Sequence, residues 1–185
     1  MKKIASIFAL VSATFSLPFI AHAEGTYIKA SISRSHYLEI GDHADNENPN
    51  GASLGLGYII NKNWDAEFGY TDFGTVKSIG ISPQKSLKTQ TIYVAGIGKL
   101  PITEAFSIFG KAGAAFNYSN LSSEGTSKEY SKTIQELLLG AGLSYQFTKE
   151  FAAIIDYTYY GKGKVANNSA EFKIDQVSFG LKYNF

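Results

Sequence analysis

The side chains best suited to nucleophilic or acid–base chemistry lie close together early in the chain. His36 and His43 are the only histidines beyond residue 22, and Ser33, Ser35, Asp42 and Asp45 stand beside them. A Ser–His–Asp site needs a nucleophile bonded to a base that a third group orients. The same histidines and aspartates offer nitrogen and oxygen ligands to a divalent metal. All of them fall in or beside one polar stretch, residues 34–51, and their spacing matches no triad or metal-ligand pattern. The expectation is therefore solvated loop side chains, with no catalytic residue, no metal and no cofactor.

A second set of ionisable residues is spread along the chain. Lys29, Asp65, Glu67, Lys111, Glu136, Asp156 and Lys182 each stand singly among small and apolar neighbours. A lone charge in a low-dielectric setting costs several kcal/mol unless it is paired or hydrated. Such residues predict an internal polar network, provided the elements that carry them turn those side chains toward one another.

Those elements read as strands. In residues 64–73, Trp64, Ala66, Phe68 and Tyr70 alternate with Asp65, Glu67, Gly69 and Thr71. Side chains on a strand point alternately to opposite faces, so one face is apolar and aromatic and the other small or polar. The pattern recurs over residues 26–33, 52–60, 89–100, 106–118, 133–147, 151–160 and from about residue 172 onward, which makes eight segments. It is least regular in residues 89–100, where Ile92, Val94 and Leu100 share one face while Tyr93 and Ile97 lie on the other. Most segments are close to the ~9–11 residues that a tilted membrane strand needs.

The connections alternate in length. Residues 61–63, 101–105 and 148–150 are short and rich in turn formers, whereas residues 34–51, 74–88, 119–132 and 161–171 are long and polar. Transmembrane barrels have short turns on the periplasmic side and longer loops outside. An even number of strands then places both termini in the periplasm. Lys2 and Lys3, the apolar run 4–20 and Ala21-His22-Ala23 form a signal-peptide pattern. Residues 1–23 are expected to be a cleaved leader and residues 24–185 the barrel.

Composition supports the same class. The chain has 18 Gly, 12 Tyr and 13 Phe but one Met and one Trp, a bias toward pleated strands and tight interiors. Without cysteine it can hold neither disulfides nor thiolate metal sites, and it has no residue to acylate as a lipoprotein. Without Lys2 and Lys3, the 17 basic side chains fall to 15 against 16 acidic ones, so nucleic acid is not an expected partner. A soluble lipocalin-type barrel would also alternate, with its polar face outward. Here the polar faces are mostly Gly and Ser with isolated charges, whereas soluble surfaces are ~25–35% charged. Aromatic residues cluster where segments end: Tyr58, Trp64, Phe106, Tyr145, Phe147, Phe151 and Phe185 near the turns, and Tyr70, Tyr118 and Tyr159 near the loops. These predict two interfacial girdles. The fold expected is all-β, an eight-stranded antiparallel up-and-down transmembrane barrel.

Several stretches carry a family resemblance: Ala66-Glu-Phe-Gly-Tyr70, Leu100-Pro-Ile-Thr-Glu104, Phe106-Ser-Ile-Phe-Gly-Lys-Ala-Gly113, Leu143-Ser-Tyr145, residues 151–157 and residues 177–185. With these the chain resembles the transmembrane domain of outer-membrane protein A and its small OmpA-like and OmpX-like relatives, over essentially all of residues 24–185. The resemblance implies an outer-membrane location, and it does not extend to that family's peptidoglycan-binding domain. It also implies that Phe179, Leu181, Tyr183 and Phe185 form an assembly signal read by the barrel-assembly machinery. Glu67 and Lys111 fall on acidic and basic positions of the family's gating network. Ser144 and Ile154 occupy two other such positions, so a gate that exchanges ion-pair partners is not implied.

The function expected is a monomeric, non-enzymatic surface barrel that stabilises the envelope, in contact with outer-membrane lipid and lipopolysaccharide. Two alternatives stay open. One is an adhesin or immune-evasion protein that meets a host-cell or surface ligand through its loops; the other is a narrow, low-conductance pore. Residues 34–51 are acidic, with Glu39, Asp42, Asp45 and Glu47 against Arg34, while residues 74–88 carry Lys77, Lys85 and Lys88 and no acid.

Overall fold

A computed structural model describes residues 25–39, 49–77, 85–123, 126–164 and 171–185. The signal-peptide pattern, His43, Asp42 and Asp45 lie outside these residues. Eight strands run in chain order: β1 (Thr26–Glu39), β2 (Asn50–Ile59), β3 (Trp64–Lys77), β4 (Lys85–Pro101), β5 (Phe106–Ser123), β6 (Thr126–Gln146), β7 (Phe151–Lys164) and β8 (Glu171–Asn184). Each pairs antiparallel with its sequence neighbours, and β8 pairs with β1 to close the barrel. Closure leaves no strand edge, which is the condition for a sheet to cross a bilayer.

Alternation sets the two surfaces. Ile28, Ile32, Leu54, Phe68, Val94, Leu137, Leu143, Ile155, Val177, Phe179 and Leu181 are exposed on the outer wall. On a soluble protein a belt of this kind would be an aggregation surface; in a bilayer it is the lipid contact. Tyr58, Trp64, Tyr145, Phe147, Phe151 and Phe185 are exposed around the turn end, and Tyr118 near the other end. The turns are held locally: Asn61 Oδ1 accepts from the Asn63 and Trp64 amides, and Thr148 Oγ1 accepts from the Glu150 and Phe151 amides.

Two departures from the sequence reading have physical causes. Residues 119–132, read as a loop, are largely strand, because β5 continues to Ser123 and β6 begins at Thr126. Beyond the bilayer neither face has to be apolar, so the hairpin continues without a visible alternation. The second departure is in β7, where the register against β8 shifts between Tyr159 and Lys162. Gly161 has φ 82°, a left-handed conformation that costs a side-chain-bearing residue more, and it forms the bulge directly after Tyr160, which continues the inward face of Asp156 and Thr158.

Candidate functional site in the barrel lumen

The lumen is built in tiers. Nearest the turns, Lys99 Nζ lies 2.5 Å from Asp65 Oδ1, and Lys182 Nζ sits 4.9 Å from the centroid of the Tyr27 ring. Tyr27, Asp65, Lys99, Gln146 and Lys182 help to line a cavity of about 200 Å³ at this end. Among the described residues Lys182 has no carboxylate within 4 Å.

The middle tier holds two ion pairs. Lys29 Nζ is 2.6 Å from Glu67 Oε1, and the Tyr27 and Tyr93 hydroxyls donate to the same carboxylate at 2.9 and 2.8 Å. Lys111 Nζ is 2.5 Å from Asp156 Oδ2, and the Thr158 and Ser178 hydroxyls donate to Asp156 at 2.7 and 2.5 Å. Each carboxylate therefore has three charged or hydroxyl donors, which is what burial of an ion pair demands.

Both pairs join strands that are not neighbours, and each passes over a glycine. Lys29 on β1 reaches Glu67 on β3 across Gly55 of β2. A Cβ at Gly55 would lie 3.3 Å from Glu67 Cδ and 3.5 Å from Lys29 Cε. Lys111 on β5 reaches Asp156 on β7 across Gly140 of β6, where a Cβ would lie 2.7 Å from Lys111 Cε. The small residues of the polar faces are thus the space through which the long side chains cross.

The outer tier is uncharged and aromatic. Phe73 and Tyr160 meet edge to face at 4.9 Å, and Tyr93 and Tyr160 at 6.0 Å. Gln176 Nε2 donates to the Tyr160 hydroxyl at 2.9 Å, and the Asn117 amide donates to Tyr160 O at 2.9 Å. Leu138, Ala115 and Ile174 complete this layer.

Five of the seven charged residues named from sequence enter ion pairs: Lys29, Asp65, Glu67, Lys111 and Asp156. Lys182 meets an aromatic ring instead. Glu136 is half-buried against Gly161 and has no ion pair among the described residues. Sequence reasoning missed Lys99 as the partner of Asp65. The signal was present, since Lys99 continues the inward face of Tyr93 and Ile97 by period two.

The same alternation separates the described members of the histidine cluster, Ser33, Ser35 and His36. Ser33 and Ser35 point into the barrel and are buried, while His36 belongs to the opposite face, with Nδ1 3.6 Å from Asp175 Oδ2. No Ser33–His36 or Ser35–His36 nucleophile–base pair forms.

A closed eight-stranded barrel with an apolar outer belt, aromatic ends and a polar, ion-paired interior is an outer-membrane barrel. Residues 22–185 match the OmpA-like transmembrane domain, and the chain belongs to that family. The fold resembles that of Ail, the attachment invasion locus protein of Yersinia pestis, with 25% identity, 88% of this chain and 100% of that chain covered, and a TM-score of 0.60. It also resembles Neisserial surface protein A, with 19% identity, coverage of 88% and 98%, and a TM-score of 0.68. OprG from Pseudomonas aeruginosa is similar at 15% identity, coverage of 89% and 97%, and a TM-score of 0.61. No curated protein sequence matches the chain.

Proposed function

We propose that this protein is a non-enzymatic surface barrel of the outer membrane that acts as a monomer to stabilise the envelope. In this reading it is exported with a leader cleaved after Ala23, inserted by the barrel-assembly machinery, and oriented with termini and short turns in the periplasm. The observation that carries it is the filled lumen. The Lys29–Glu67 and Lys111–Asp156 pairs, topped by Phe73, Tyr93 and Tyr160, occupy the cross-section where a channel or an internal active site would be. A wall fastened across its own interior is a rigid insert in the bilayer.

A second reading, an adhesin that acts through the outer loops, is supported by the 25% identity to an attachment invasion locus protein. One comparison separates the two. A deletion strain is measured against its parent for detergent sensitivity, periplasmic leakage and binding to host cells. The structural role predicts a leaky, detergent-sensitive envelope with host-cell binding unchanged. Loss of binding with an intact envelope would replace that role with the adhesin.

A further inference from the structure

The outer wall is apolar along most of β7, β8 and β1, and then changes abruptly. Ile28, Ala30 and Ile32 on β1, Val177, Phe179 and Leu181 on β8, and Ile155 on β7 are exposed in one continuous belt. The next outward positions are Arg34 and His36 on β1, and Asp175 and Lys173 on β8. The register pairs Arg34 with Val177, His36 with Asp175 and Lys162 with Lys173.

The depth of this change follows from strand length. A tilted strand crosses the bilayer in ~9–11 residues. Counting from the turn-side aromatics Phe151 and Tyr183, that length ends near residues 159–161 on β7 and 173–175 on β8. On β1, counting from Thr26, it ends near residues 34–36. All three strands therefore present these polar side chains at one level, the border between acyl chains and headgroups.

Among the described residues the charges at that border do not balance. Asp175 is engaged by His36, whose Nδ1 lies 3.6 Å from Asp175 Oδ2. Arg34 and Lys173 are exposed, and among the described residues neither has a carboxylate within 4 Å. The wall at β3–β4 differs, because there Lys88 is held 3.0 Å from Asp72 and Gln90 also donates to that carboxylate. An excess of cations facing lipid at the headgroup border calls for an anion supplied by the membrane.

We propose that the β7–β8–β1 rim binds a phosphate group of lipid A, the membrane anchor of lipopolysaccharide, in the outer leaflet. Arg34 supplies a planar fork that matches two phosphate oxygens, and Lys173 supplies a point charge from the neighbouring strand. The acyl chains of the same lipid lie along Ile32, Val177 and Phe179. The inference deepens the envelope-stabilising reading and rests on its orientation, with the long connections outside. It names where the wall holds the lipid.

The test measures binding without reference to orientation in the cell. Protein purified from outer membranes and freed of lipid in detergent is titrated with lipid A bisphosphate, and complexes are counted by native mass spectrometry. Each cation near an anionic surface strengthens association about fivefold, so Arg34→Gln with Lys173→Gln should weaken binding roughly 30-fold. Lys173→Gln alone should weaken it about fivefold, which keeps the test open should the double variant fold poorly. Lys149→Gln, at the turn end, should bind as the parent does. Dephosphorylated lipid A should bind the parent and the double variant equally weakly. Thermal stability in phosphatidylcholine should be the same for parent and double variant, because neither cation has a carboxylate within 4 Å among the described residues. Parent-like affinity in the double variant, or equal affinity of the parent for phosphorylated and dephosphorylated lipid A, would overturn the site. So would full displacement by inorganic phosphate of equal charge, which would make it a free-anion site. These outcomes bear on the rim alone, whereas the deletion strain tests the role in the envelope.

Discussion

Lys111→Ala is expected to destabilise the barrel by ~3–5 kcal/mol, far more than Lys85→Ala near the start of β4. Lys111 and Asp156 are 2% and 3% exposed, so the pair is shielded from water along its length. Truncation removes the ammonium and leaves the Asp156 carboxylate with only the Thr158 and Ser178 hydroxyls. Breaking one side of a buried pair is costly because the remaining charge keeps its desolvation penalty. Replacing both sides with Met and Leu removes that penalty and should recover most of the loss. Urea titration in detergent or lipid bilayers measures all four proteins. Equal losses for Lys111→Ala and Lys85→Ala would mean that water enters the tier and solvates Asp156.

The second large effect is on assembly. Changing Tyr183 and Phe185 together to Ser should abolish insertion, with the protein accumulating unfolded in the periplasm. Phe151 and Tyr183 lie 4.9 Å apart between ring centroids, and so do Tyr183 and Phe185. Phe147 stacks on Phe151 at 6.1 Å, so the turn-side girdle is one connected group here. The same residues stand at the seam where the barrel closes: the Phe185 amide donates to Thr26 O at 3.0 Å, and Asn184 pairs with Tyr27. Losing both rings removes an interfacial anchor and an end of the closing strand at once. Cell fractionation followed by a heat-dependent gel-mobility assay reads the outcome. Normal amounts of folded protein in the outer membrane would show that neither ring is needed.

The wall of this barrel was legible because lipid imposes a strict rule on it. Phe68, Val94 and Phe179 had to face outward, and period two then placed Glu67, Tyr93 and Ser178 inside. The pairing of charges was not legible. Lys29 meets Glu67, two strands away, and Lys111 meets Asp156, also two strands away, so partner choice depends on the stagger around the ring. Alternation within any one strand carries no information about that stagger. Tyr160 continues the inward face of Asp156 and Thr158 by period two; what the alternation could not show is the bulge at Gly161, because that change of phase begins where the alternating segment ends. The extra length of β5 and β6 was hidden because, above the bilayer, alternation no longer has to separate apolar from polar.

Ion pairs and aromatic rings close the lumen. The cavity of about 200 Å³ near the turns is lined by Glu67 and Lys29 on its inner side, and Tyr93, Tyr160 and Phe73 pack beyond them. Eight strands enclose only enough space for such side chains. Single-channel recording in planar lipid bilayers tests this directly. The predicted record shows no steady conductance, with at most small and brief openings. Stable, large channels from the folded protein would contradict the closed lumen and make the protein a pore.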